Sequence, residues 1–226
     1  MSVVSVQEAA RQLGASQAWV RKAAASGEIA AYQLGRAWAI DERALSRLRR
    51  RPNGRPLSPR SSWLALFAVS GEVSGLPGSN PVERQRARDR AARLNADGIG
   101  VLDLSGRAEL RRFRGSPEQV AALASDDRVV RSGISAASDL GGSLLDSARE
   151  FEGYVREVDF PALVRQVRLE PAPLGEHGRI LLRIPRPDWP FLPAAEVAPR
   201  AVVAVDLSES HDPRSRSAAD ELIHRA

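Results

Sequence analysis

The chain has 226 residues, 43% hydrophobic and 27% charged, which is enough to bury a sizeable core, and no apolar run reaches the roughly 20 residues of a membrane span. It holds no cysteine, which excludes disulfides, thiolate metal sites and cysteine nucleophiles, and its first residues show no basic-then-apolar secretory pattern, so the expectation is a cytoplasmic protein without membrane contact. The net charge of +5 is unevenly spread: residues 1–60 carry 11 Lys and Arg against 4 Asp and Glu, a net of +7, whereas residues 61–226 carry 22 against 24, a net of −2. Lys22 is the one lysine, a bias that genome composition explains without function. A basic module on a near-neutral body is the footprint of a chain in which one part meets phosphate.

Ser5-Val6-Gln7-Glu8 has the form of a capping box and predicts a helix over 6–13, with Ala9, Ala10 and Leu13 on one face and Gly14 ending it. Ser16 caps a second helix running to about Ser26 and stopped by Gly27, so the two helices are joined by a very short turn. Residues 29–34 and 37–40 flank Gly35-Arg36 and read as a hairpin, with Trp38 and Ile40 on one strand face. Asp41 is placed to cap a third helix carrying Leu45 and Leu48 inward and ending in Arg49-Arg50-Arg51-Pro52.

In one unbroken register this stretch shows Glu8-Ala9-Ala10, Leu13-Gly14, Ser16, Val20, Ser26-Gly27-Glu28-Ile29 and Gly35-Arg36-Ala37-Trp38-Ala39-Ile40. With these residues it resembles the winged helix-turn-helix of the excisionase and MerR type. The resemblance implies a DNA-binding domain over 1–50, with the second helix as the recognition helix. If Val20 points inward, Ser16, Gln17, Ala18, Arg21 and Lys22 lie on the outer face. Gln and Arg suit adenine and guanine edges in the major groove, and Ser16 with the helix N-terminus suits a phosphate. Arg36 at the hairpin tip is placed for a neighbouring backbone or minor groove, and Trp19 and Trp38 read as packing residues.

Residues 51–60 read as a flexible basic linker. The wider run 47–60 holds six arginines, three prolines and one glycine, so Arg49, Arg50, Arg51 and Arg55 are candidate phosphate contacts.

The remaining 61–226 read as a mixed α/β domain, giving an α+β fold class overall. Helices are expected over 61–71, from Asn80-Pro81 to 95, from Ser116-Pro117-Glu118, over 140–154, over 159–167 and over 213–225. Strands are expected over 108–114, 128–132, 179–184 and 201–207. Arg84, Arg86, Arg88, Arg90 and Arg93 point in several directions around the second of these helices and read as a solvated face. Trp189 and Phe191, in the Pro-rich loop between the last two strands, read as a lid on the domain's own core.

The segments Arg179–Arg183, Trp189-Pro190, Ala198–Ser210 and Asp212–Ile223, following a helix-turn-helix, resemble AbiEi-type antitoxins. That resemblance implies a repressor of its own promoter whose larger domain opposes a nucleotidyltransferase toxin without an obligate tight complex. The expected partners are double-stranded operator DNA and a cognate toxin, with a homodimer or cooperative binding on DNA. A second reading is an excisionase-like architectural protein of recombination. A third is a nucleotidyltransferase-like enzyme using Gly141-Gly142-Ser143 with Glu157, Asp159 and Asp206, although Asp159-Phe160-Pro161 also reads as a helix start. His177, His211 and His224 have no metal-ligand spacing, Asp206, Glu209 and Asp212 read as a solvated turn, and no nucleophile triad or phosphate-cradling loop is present. The expectation is therefore a non-enzyme with no cofactor and no metal.

Overall fold

The computed structural model describes residues 3–13, 16–26, 29–35, 37–41, 56–71, 78–142, 149–173, 178–210 and 212–224. The chain divides into two compact units, Met1–Asn53 and Gly54–Ala226.

In the N-terminal unit, β1 (Val3–Ser5) leads directly into α1 (Val6–Leu13), followed by α2 (Gln17–Ala25), β2 (Ala31–Leu34) and β3 (Ala37–Asp41). The three strands form one antiparallel sheet in the order β1-β3-β2. Both helix starts follow from hydroxyl caps: Ser5 Oγ accepts from the Glu8 amide and Ser16 Oγ from the Trp19 amide, each at 3.1 Å. The core is Ala9, Ala10, Val20, Ala23, Ala24, Ile29 and Ile40, ringed by Val4, Val6, Leu13, Ala31 and Trp38. Alanines on both helices let the two axes approach closely. The hairpin starts at Ala31, two residues later than expected, because the Ile29 amide donates to Ala23 O at 3.1 Å and continues the end of α2. Asp41 is the last residue of β3, paired with Val3; the helix it was expected to cap lies outside the described residues.

The second unit contains α3 (Pro59–Val69), α4 (Pro81–Asp97), β4 (Ala108–Phe113), α5 (Pro117–Ala124), β5 (Val129–Arg131), β6 (Phe151–Val155), α6 (Phe160–Val167), β7 (Ile180–Pro185), α7 (Arg200–Ser208) and α8 (Pro213–His224). The expected caps hold: Asn80 with Glu83, and Ser116 with Gln119, form reciprocal capping boxes. The linker ends earlier than the expected residue 60. Ser58 caps α3, Pro59 and Arg60 are helical, and the Leu57 amide donates to Asp103 O at 3.0 Å.

Four strands form a mixed sheet in the order β4-β7-β6-β5. β6 and β7 are parallel and joined through α6, as a parallel pair requires a crossover; the two outer pairs are antiparallel. Strand alternation divides the interior. Phe151, Val155, Ile180, Leu182 and Ile184 pack with α5 and α6 residues such as Val120, Leu123 and Leu163. Tyr154 packs on the other face with α3, α4, α7 and α8, where Trp63, Leu66, Leu94, Val203 and Leu222 form the larger core. Phe191 belongs to that core, 5.4 Å from the Trp63 ring and 5.0 Å from the Tyr154 ring, so the Pro-rich loop is a lid.

Two expected elements differ. The predicted helix over 140–154 ends instead in strand β6, where Phe151-Glu152-Gly153-Tyr154-Val155 alternates two faces, and its first residue, Leu140, closes a short 3-10 turn. The predicted strand over 201–207 is helix α7, buried at every position from Ala201 to Leu207. A run apolar at every position but Asp206 has no periodicity that separates a buried strand from a buried helix.

What fixes α7 is a buried charge cluster. Arg107 donates to Asp206 Oδ1 at 2.5 Å and to Glu209 Oε1 at 2.6 Å, and its other bonds reach Leu104 O and the Tyr154 hydroxyl. Arg183, on β7, donates to Glu152 at 2.5 Å on neighbouring β6 and lies 2.9 Å from Glu209; its Nε is 3.0 Å from Asp206, close enough for an ion pair but not aligned as a hydrogen bond. Tyr154 and Ser132 hydroxyls donate to the two Asp206 oxygens. Gly133 sits at φ +50° against Glu152, where any Cβ would overlap the carboxylate. Burial opposes the charge on Arg107 and Arg183, but the surrounding acids outweigh it and raise both guanidinium pKa values. Burial raises the Glu152 pKa against the pull of Arg183. Burial would also raise Glu209, yet Arg107 and Arg183 prevail and hold it at about 2.

Two outcomes follow. Arg107→Met leaves Asp206 buried beside a half-emptied partner set and is expected to cost about 3–5 kcal/mol in urea unfolding, the range for breaking a buried ion pair. Glu209, depressed from an ordinary 4.5 to about 2, stabilises the fold above pH 4.5, and that contribution disappears as pH falls through 2. Glu209→Gln should therefore lose stability at pH 7 and flatten the fall between pH 4.5 and 2, measured by denaturant midpoints across that window.

Candidate nucleic-acid interface

α2 has two faces. Val20, Ala23 and Ala24 are buried against α1 and the sheet, and Ser16, Gln17, Ala18, Arg21 and Lys22 are exposed. At 3.6 residues per turn, Gln17, Ala18, Arg21, Lys22 and Ala25 fall on one outward side. The Arg21 guanidinium donates to Gln17 Oε1 at 3.1 Å, one turn back. This bond aligns two long polar side chains with each other and leaves the Gln17 amide nitrogen and most of the Arg21 donors outward.

The electrostatics single out the same face. Arg11 on α1 forms an ion pair with Glu8 at 2.6 Å, and Glu8 raises its pKa. Among the described residues no acid forms an ion pair with Arg21 or Lys22, so the uncompensated positive charge of the described part of this unit stands on α2. A surface of this kind offers a planar fork, an ammonium and an amide beside one methyl group, the set that reads base edges and a thymine methyl in a major groove.

Trp38 is half-buried against the small core, as expected, but Trp19 is 43% exposed at the edge of the α2 face. Tyr32 and Leu34 on β2 are also exposed, a pair the alternation of the hairpin did not single out. Arg36, Arg49, Arg50, Arg51 and Arg55 lie outside the described residues.

Residues 3–52 match the family model of the helix-turn-helix domain. Neither the curated proteins nor the solved structures yield a match to the chain. The helix-turn-helix match covers the first unit and supports DNA binding by it.

The residues weighed for nucleotidyl transfer do not assemble as expected. Glu157 and Asp159 lie in the turn between β6 and α6 instead of alternating on a strand, and Glu157 pairs with Arg186 at 2.8 Å. Asp159 occupies the N-cap position of α6 without a side-chain cap bond. Asp206 sits inside α7, bound by Arg107, Tyr154 and Ser132, so the solvated turn expected around it is instead a buried helix. Ser143, His177 and His211 lie outside the described residues. Among the described residues no three His, Asp or Glu side chains are grouped to hold a metal, and no helix is long and apolar enough to cross a membrane.

The cluster of Arg107, Glu152, Tyr154 and Arg183 with Asp206 was not singled out from the sequence. Its one readable signal is the spacing of Asp206 and Glu209, which shares a face only on a helix.

Proposed function

We propose that this protein is a sequence-specific transcriptional regulator that uses α2 as its recognition helix, with the β2–β3 hairpin as the wing. The observation that carries the reading is the outward set Gln17, Arg21 and Lys22 on a helix whose inner face is fully packed, within a segment that matches the helix-turn-helix family. Occupying its own promoter would block polymerase. Arg21→Ala with Lys22→Ala is expected to lower affinity for the DNA upstream of its own gene by at least about 30-fold, from the ~1–3 kcal/mol of each base contact, with an unchanged thermal midpoint. Undiminished binding by the folded double variant would show that another face reads the site.

In its finer form the proposal is an autorepressing antitoxin of the AbiEi kind. Support comes from the sequence pattern over Arg179–Arg183, Trp189-Pro190, Ala198–Ser210 and Asp212–Ile223. These residues form β7, the start of the lid, α7 and α8, the elements around which the body's core is built. Co-expression with the product of a neighbouring nucleotidyltransferase gene should restore growth, and the Arg21/Lys22 double variant should still restore it when both genes are driven from foreign promoters. Growth arrest unrelieved by the wild-type chain would remove the antitoxin role and leave the DNA-binding role standing.

A further inference from the structure

The second unit holds a cavity of about 250 Å³, lined by β4, β7 and β6 on one side and by the end of α7 and the start of α8 on the other. Strand register lays out its polar groups. Glu152 on β6 stands beside Leu181 on β7, and Leu181 beside Arg112 on β4. A carboxylate, an apolar residue and a guanidinium therefore form one row across three strands, the outer two about 10 Å apart at a strand spacing of ~4.8 Å. Arg179, two residues before Leu181, shares that face and lines the same cavity. The rest of the wall is largely aliphatic: Leu110, Ile134 and Leu207 join Leu181.

Both ends of the row carry bonding capacity that the fold leaves unused. Glu152 is buried and its Oε1 accepts from Arg183 at 2.5 Å, but its Oε2 takes no hydrogen bond among the described residues. Burial holds the Glu152 pKa up against the pull of Arg183, so a second cationic donor beside this carboxyl is favourable. The other inward charges are committed: Arg183 to Glu152 and Glu209, Glu209 also to Arg107, and Asp206 to Arg107, Tyr154 and Ser132. Asp212, on the far wall, accepts from the amide and hydroxyl of Ser215. At the mouth Arg112 and Arg179 are exposed, and their side chains enter no ion pair or hydrogen bond among the described residues, Glu150 beside them included. The unanswered charge is thus negative at the buried end and positive at the mouth.

We propose that this cavity binds an aliphatic α-amino acid, whose ammonium donates to Glu152 and whose carboxylate is held by Arg112 and Arg179. Apolar walls with a few convergent polar groups are the make-up of a small-molecule site. An apolar cavity of about 150 Å³ holds benzene, so this one has room for about ten non-hydrogen atoms, the size of leucine. Arginine forks suit a carboxylate, and the aliphatic wall suits the side chain between the two charged ends. The site lies wholly within the second unit and is independent of the DNA-binding reading.

The test is calorimetric titration of the full chain with L-leucine, L-isoleucine and L-valine. Isoamylamine and 4-methylvalerate serve as leucine without its carboxylate and without its ammonium. At least one amino acid should bind one-to-one with a Kd at or below about 1 mM, and each truncated probe at least about tenfold more weakly than leucine. R112Q/R179Q changes only exposed side chains and should weaken amino-acid binding at least about tenfold while leaving isoamylamine unchanged. E152Q keeps an oxygen for Arg183 but loses the charge, and should weaken the amino acid and isoamylamine together. If E152Q fails to fold, the arginine pair carries the test. No saturation by any of the three amino acids up to about 10 mM would overturn the proposal. So would undiminished binding by the folded R112Q/R179Q chain, or isoamylamine binding as tightly as leucine.

Discussion

The second unit depends on where it keeps its charge. Arg107 and Arg183 are 1% and 3% exposed, and neither is tolerable there without Asp206, Glu152 and Glu209. That requirement selects the secondary structure around it. On a strand, residues 206 and 209 would point to opposite faces; on a helix they lie one turn apart and meet both guanidiniums. The same requirement fixes sheet register. Tyr154 pairs with Arg183 across β6 and β7, and a one-residue slip would turn Arg183 or Glu152 into the apolar layer of Phe151, Ile180 and Leu182. The polar cluster therefore specifies one arrangement of elements that hydrophobic content alone leaves open.

Arginine takes opposite fates in the two units. In the body, Arg107, Arg128 and Arg183 are paired with acids within the fold. In the N-terminal unit, the small core consists mostly of alanine and branched aliphatic residues, and the arginine and lysine of α2 stay outside it. A core of that size has no room to hide a guanidinium, so its cations remain available for a polyanion. The contrast gives the uneven charge along the chain a physical meaning: the charge internalised in the body supports its architecture, and the charge of α2 stays at the surface.

The parts legible in the sequence are those governed by local chemistry. Ser16, Asn80 and Ser116 announce helix starts through side-chain bonds to amides three residues on, and these held to within a residue. The outer face of α2 was equally readable, because Val20 and the alanines beside it leave one side for polar residues. The misreadings lie where tertiary contacts decide. Val202, Val203 and Val205 favour a strand by side-chain shape, yet burial on all sides and the Asp206 pairing make α7 a helix. Phe151–Val155 followed a stretch that patterned as helix, but parallel pairing with β7 claims its backbone. The partners of Asp206 come from the turn before β4, the residue after β5, β6 and β7, up to 99 residues away, and no local spacing links them.

A single helix-turn-helix buries about 600–1,000 Å² on DNA, the low end for specific recognition. On the described surface of the first unit Arg21 and Lys22 are the cations outside any ion pair, and affinity at cellular salt scales with the number of phosphates neutralised. Specificity and affinity therefore have to be drawn from different places. With α2 proposed as the recognition helix, base edges fall to a short polar face, and the remaining charge has to come from more basic chain, from a second copy, or from both.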